Sequence, residues 1–185
     1  MKRILTAILI LCASVALPQD GPATIFEAAR LGDMTALQRY LTAGHALTET
    51  DEIGSTLLHL AADGGQPAMA AFLLDQGLDP NAANNDGFTS LHFVALHGDS
   101  VTVSLLIAKG ALVYARDNNE MTPLHLCALR NNIEVAEVLL RNGADVNDRT
   151  TTKWTPLRVA RLGKSAEIET WLLQHGAEEN PEEGK

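Results

Sequence analysis

The chain repeats itself with a step of 33 residues, and no insertion breaks the register. Thr56, Thr89, Thr122 and Thr155 stand in one column, and Leu58, Leu91, Leu124 and Leu157 in a second. His59, His92 and His125 form a third, and Gly44, Gly77, Gly110, Gly143 and Gly176 a fourth. A fixed period of this length means a stack of small units, each too small to bury a core alone, so stability must come from contacts between neighbours. A stack of this kind offers a continuous surface rather than an enclosed pocket, which favours binding over catalysis.

The repeated residues read Thr122-Pro123-Leu124-His125 and, further on, Val138-Leu139-Leu140-Arg141-Asn142-Gly143-Ala144-Asp145-Val146-Asn147. This resembles the ankyrin repeat, whose pattern is T-P-L-H, a helical run and then L-L-x-x-G-A-D-V-N. The resemblance covers about residues 23–177. It implies an all-α solenoid of stacked helix-turn-helix units with β-hairpin-like finger loops. The units are expected at 51–83, 84–116, 117–149 and 150–177, preceded by a capping unit at 23–50 and a linker at 17–22.

Local chemistry supports that division. Thr122 can cap a helix whose first position is Pro123, where a missing N–H costs nothing and φ is already helical. Leu124, Leu126 and Ala128 then point into the stack. Ile133, Val135, Val138, Leu139 and Leu140 give a second helix one apolar face, and Gly143 ends it in the left-handed conformation. Pro67 opens the corresponding helix of an earlier unit. The stretches 78–88, 111–121 and 144–154 carry Asp, Asn and Gly in turn positions and are expected to form the fingers, with little sheet. The first unit has a helix at 33–41 but lacks T-P-L-H, and Arg30, Gln38 and Arg39 suit the polar outer face that a terminal unit needs. The last unit has Arg158 in the histidine column and leads to an acidic tail at 178–185.

Met1-Lys2-Arg3, the apolar run Ile4 to Leu11, and small residues at Ser14 and Ala16 are expected to form a signal peptide at 1–16, cleaved after Ala16. The alternative is an uncleaved anchor, although the run is shorter than the roughly 20 residues that span a bilayer. Leu11 before Cys12 does not suit lipoprotein processing. Cleavage would move the formal charge from −9 to −11 by removing Lys2 and Arg3. An acidic chain repels phosphate backbones and anionic lipid surfaces, so neither nucleic acid nor a membrane is the expected partner. It would also leave Cys127 as the one cysteine, which excludes an intrachain disulfide. With Ala61 and Ala160 as its counterparts, Cys127 reads as a small core residue rather than a reactive thiol.

Three histidines in a column suggest metal, but equivalent side chains on units about 8–10 Å apart cannot converge on one ion. The resemblance implies that they are structural and bond backbone near the fingers. No G-x-S-x-G elbow, phosphate-cradling glycine loop or H-E-x-x-H helix is present, so no enzyme activity and no cofactor is expected.

The columns free of scaffold duty are more informative. Just before the motif threonine stand Ser55, Phe88, Met121 and Trp154, at a position that the ankyrin resemblance places on the concave groove. A second free column reads Asp63, Leu96, Leu129 and Leu162. Together these make an apolar strip of a kind that monomers seldom leave bare. The Leu column has an alternative reading as packing between inner helices, and Trp154 has one as a shield of the C-terminal unit from water. Glu52, Asn85, Asp86, Asn118, Asn119, Thr151 and Thr152 would form a polar rim. Arg130 and Arg161 are expected to flank the strip in the same helix-end positions, where they would meet an acidic group or remain solvated.

The expected molecule is therefore a monomeric, non-catalytic scaffold, exported to the periplasm or secreted and bacterial in type. It would bind another exported protein in its groove as an accessory, protective or inhibitory factor. The alternatives are a metal or small-ligand carrier using the histidines, and, with least support, a hydrolase.

Overall fold

The structure, a computed structural model, describes residues 21–179. The expected signal peptide, Cys12 and most of the acidic tail lie outside the described residues. Each unit contributes two short helices. These are α1 (Ile25–Leu31) with α2 (Met34–Thr42), α3 (Leu57–Asp63) with α4 (Pro67–Asp75), and α5 (Ser90–His97) with α6 (Ser100–Ala108). They continue with α7 (Pro123–Arg130) and α8 (Ile133–Arg141), then α9 (Pro156–Leu162) and α10 (Ala166–Gln174). Helices of seven to nine residues are marginal in water by themselves, so their stability comes from packing.

That packing is serial. The odd-numbered helices pack one against the next as an inner layer, and α4, α6 and α8 pack likewise behind them. The core runs through the whole stack. Ala28, Ala61, Val94, Cys127 and Ala160 form one fully buried or nearly fully buried column, in which small side chains let the layers approach. Cys127 is thus a core residue, and burial pushes its thiol pKa well above the ordinary value. Val135 and Leu139 of α8 are buried, with Ile133, Val138 and Leu140 half-buried beside them.

The helix ends follow the sequence signals. Thr122 in extended backbone precedes α7, with Pro123 in its first turn, and Gly143 after α8 has φ 92°. Among the described residues there is no strand; one isolated bridge joins Thr50 and Thr56. The fingers are closed by single turns instead. In the second finger (84–88), the Asn84 amide donates to the Phe88 carbonyl at 2.9 Å, and the third (117–121) and fourth (150–154) copy it. In the capping unit, Arg30 and Gln38 are exposed and Arg39 is half-buried. The Tyr40 hydroxyl donates to the Pro22 carbonyl at 2.7 Å, tying down the segment before α1.

Candidate protein-binding groove

The apolar strip is held in place from both sides. Within each of the second, third and fourth fingers, a buried residue at the base fixes the strip residue by its own backbone and side chain. Asp117 Oδ1 accepts from the amides of Asn119 and Met121, each at 2.8 Å, while its own amide donates to the Met121 carbonyl at 3.0 Å. Asn84 does the same for Phe88, and the Thr150 hydroxyl accepts from the Trp154 amide at 3.0 Å. These are side-chain turns of the type that Asn, Asp and Thr favour.

From the other side, each motif histidine reaches across to the next unit. His59 Nε2 donates to the Phe88 carbonyl at 2.9 Å, His92 to that of Met121 at 3.1 Å, and His125 to that of Trp154 at 3.0 Å. A carbonyl can only accept, so Nε2 carries the proton. Nδ1 then accepts from the amide of the capping threonine, as with Thr122 at 3.1 Å, completing a capping box in which His stands where Glu is usual. Burial lowers the pKa of all three rings, keeping them neutral near pH 7. Both nitrogens of each ring are engaged, which leaves neither open to a metal. The structural role implied by the sequence resemblance is the one observed.

The strip residues differ in their surroundings. Phe88 is half-buried, stacked on His92 with ring centroids 5.4 Å apart and edge-on to Phe93 at 5.7 Å. Met121 and Trp154, by contrast, share a cavity of about 370 Å³ between the third and fourth fingers. It is also lined by the predicted rim residues Asn118, Asn119, Thr151 and Thr152, and by Thr150. The Arg158 guanidinium lies 5.5 Å from the centroid of the Trp154 ring, a cation–π arrangement. In the second column exposure rises along the stack. Leu96 is half-buried, Leu129 is 39% exposed and Leu162 57%.

The two arginines are not equivalent, which corrects the expectation that they share one helix-end position. Arg130 is exposed and lies one 33-residue step from His97. Arg161 lies in the column of Ala62, Ala95 and Ala128, which are buried because a following unit covers them. At the end of the described stack Arg161 Nε instead donates to Glu169 at 2.8 Å and Nη2 to Glu179 at 2.8 Å, and these bonds raise its pKa further. It closes the last unit rather than flanking the strip.

Sequence reasoning also missed what separates the third finger from the first two. Gly54 and Gly87 adopt φ values of 77° and 81°, and the next two positions in that column, Glu120 and Lys153, adopt 63° and 61° with side chains attached. The break in the column was visible in the sequence; its geometric consequence was not.

Comparison with known proteins places this geometry in a family. The family model for ankyrin repeats (3 copies) matches residues 25–117 and 94–183. The chain is 36% identical over 68 residues to protein phosphatase 1 regulatory subunit 27 of Mus musculus, a match covering 37% of this chain and 44% of that protein. The Homo sapiens protein of the same name is 34% identical over 68 residues, covering 37% and 44%. The palmitoyltransferase akr1 of Neurospora crassa is 39% identical over 66 residues, covering 35% of this chain and 9% of that protein. The chain thus matches less than half the length of these relatives, and they come from two mammals and a fungus, which gives no support to a bacterial origin. With the family model spanning most of the described residues, the chain belongs to the ankyrin-repeat family.

Proposed function

We propose that this chain is a non-catalytic scaffold that binds another protein along the finger side of its inner-helix layer, chiefly over Met121 and Trp154. The observation that carries the reading is the shared cavity between the third and fourth fingers, which Met121 and Trp154 line together with uncharged amides and hydroxyls. Apolar centre and polar rim is the arrangement of a binding surface, and Trp is its most frequent energetic anchor. Leu129, Leu162 and Arg130 extend the surface, with Phe88 and Leu96 supporting it from partly packed positions. Arg161 falls outside the contact set.

An accessory role, protective or inhibitory, is in keeping with the regulatory subunit among the relatives. Export to the periplasm or the cell exterior rests on residues 1–16 alone, and an exported partner rests on the same segment. N-terminal sequencing of the protein recovered from fractionated cells tests it: a mature chain beginning near Leu17 supports export, and an intact Met1 in the cytoplasmic fraction overturns it.

Affinity capture with the tagged chain tests the binding surface. The wild-type chain retains a partner that Trp154→Ala loses, while Ser104→Ala, on the exposed side of α6, retains it. Equal capture by all three removes the finger-side reading.

A further inference from the structure

The tips of the first three fingers are joined by backbone hydrogen bonds, whereas the third and fourth are joined below the tip, where Arg116 Nη1 donates to the Arg149 carbonyl at 3.2 Å. The Asn85 amide donates to the Ile53 carbonyl at 2.9 Å, and the Asn118 amide to the Asp86 carbonyl at 2.9 Å; Asn118 Nδ2 adds a bond to the Asn85 carbonyl at 2.9 Å. The corresponding bond, from the Thr151 amide to the Asn119 carbonyl, does not form. Glycine explains the difference. A Cβ at Gly87 would stand 2.7 Å from the Asn118 amide nitrogen, and one at Gly54 would stand 2.6 Å from Asn85 Oδ1 and 3.3 Å from its amide nitrogen. The clamp onto Asn118 therefore requires a glycine at position 87, and the clamp onto Asn85 is made more easily by one at position 54. Glu120 puts a Cβ at that place on the third finger, and the fourth finger stands off.

The resulting gap is the slot over Met121 and Trp154. Glu120 keeps it open at a cost, since a side chain at φ 63° is strained, and strain of this kind collects at functional sites. No charged side chain lines the slot, and Met121 and Trp154 give it an apolar side, which together suit an uncharged occupant with an apolar face.

Charge sets what flanks that occupant. Between Arg39 and Lys109 the chain carries eight carboxylates and no lysine or arginine, whereas residues 149–164 carry five cations and no carboxylate. Arg149 and Lys153 bracket the slot wall at Thr150 to Thr152, and Arg158 lies over Trp154. The nearby carboxylates are already engaged. Arg116 pairs with Glu120 at 3.4 Å and Asp148 at 2.5 Å, and buried Asp117 is turned into its own finger.

We propose, resting on the reading of this face as a protein-binding surface, that Glu120 holds open a slot for one aromatic or aliphatic side chain of a partner segment, with carboxylates beside that anchor meeting Arg149 and Arg158. The acidic first and second fingers repel the same carboxylates and so fix the direction in which the segment lies.

The test selects short random phage-displayed peptides on the full chain, then measures a synthetic copy of an enriched peptide by fluorescence anisotropy. Enriched sequences should share an apolar anchor next to Asp or Glu. Binding should weaken about tenfold for Arg149→Glu. Glu120→Ala keeps the Cβ and Glu120→Gly does not, and both lose the Arg116 pair, so their difference isolates the device. Glu120→Gly should bind about tenfold more weakly than Glu120→Ala and melt roughly 2–4 °C higher, because strain is relieved and the fingers close. Peptides lost with Trp154→Ala but free of acidic bias, or bound equally by Glu120→Gly and Glu120→Ala, overturn this inference and leave the groove standing. Failure to enrich any peptide that depends on Trp154 overturns the groove itself.

Discussion

His92 Nε2 donates to the backbone carbonyl of Met121, 3.1 Å away and 29 residues along the chain. A scaffold histidine of one unit thereby holds the strip residue of the next, and His59 and His125 repeat the arrangement with Phe88 and Trp154. The columns that look purely architectural are what positions the proposed contact surface.

Removing one of these histidines should therefore affect both stability and binding. His125→Ala leaves the Thr122 amide and the second lone pair of the Trp154 carbonyl unsatisfied in a buried site, at a cost of about 2–4 kcal/mol. Chemical denaturation measures it. A loss below about 0.5 kcal/mol would show that the bond between units contributes little.

Acid should loosen the stack. The three buried rings have pKa values lowered from 6.5 chiefly by desolvation, so the unfolded chain binds protons more readily than the folded one. Stability is then full above pH 6.5 and falls as the pH drops below it toward the folded values. Thermal melts across that window should show Tm falling on acidification, and falling less in His92→Gln than in the wild type. A Tm that is flat or rises on acidification would contradict the neutral, buried state.

The two aromatic strip residues should separate. Phe88 packs on two rings, so Phe88→Ala is expected to cost about 2–4 kcal/mol of stability with a secondary effect on binding. Trp154 borders an open slot, so Trp154→Ala should cost about 1–2 kcal/mol and at least tenfold in affinity. Parallel denaturation and binding measurements on both variants check the ordering, and the reverse ordering would place the contact surface elsewhere.

Glycines in equivalent backbone conformations should differ in tolerance. Gly87→Ala meets both a left-handed φ of 81° and the Asn118 amide at 2.7 Å, whereas Gly110→Ala, at φ 92°, meets open space. The first should cost about 1–2 kcal/mol more than the second in a denaturant titration. Equal costs would mean that the finger clamp yields without penalty.

The fold was legible because its determinants are local and repeated: a capping threonine, Pro67 and Pro123 at helix starts, and glycine after the outer helices. The histidines could be assigned to the scaffold by their regular spacing. The slot was not legible, although Met121, Trp154 and their rim could be named. In the proposal above it depends on Glu120 carrying a Cβ where Gly54 and Gly87 carry none, a difference felt by a finger about one repeat away that no helix or turn rule describes. Arg161 was misplaced for a related reason. Its meaning lies in the buried alanines one, two and three steps earlier, and in α10, whose Glu169 it meets.

Site-specific photocrosslinking in the native cell tests the central claim most directly. A photoreactive residue at Asn119 or Thr151 reports on the finger side, and one at Ser104 or Arg141 on the exposed side of the outer helices. Protein adducts should form from Asn119 and Thr151 and disappear when Trp154→Ala is added. Adducts from Ser104 or Arg141 with none from the fingers would contradict the account.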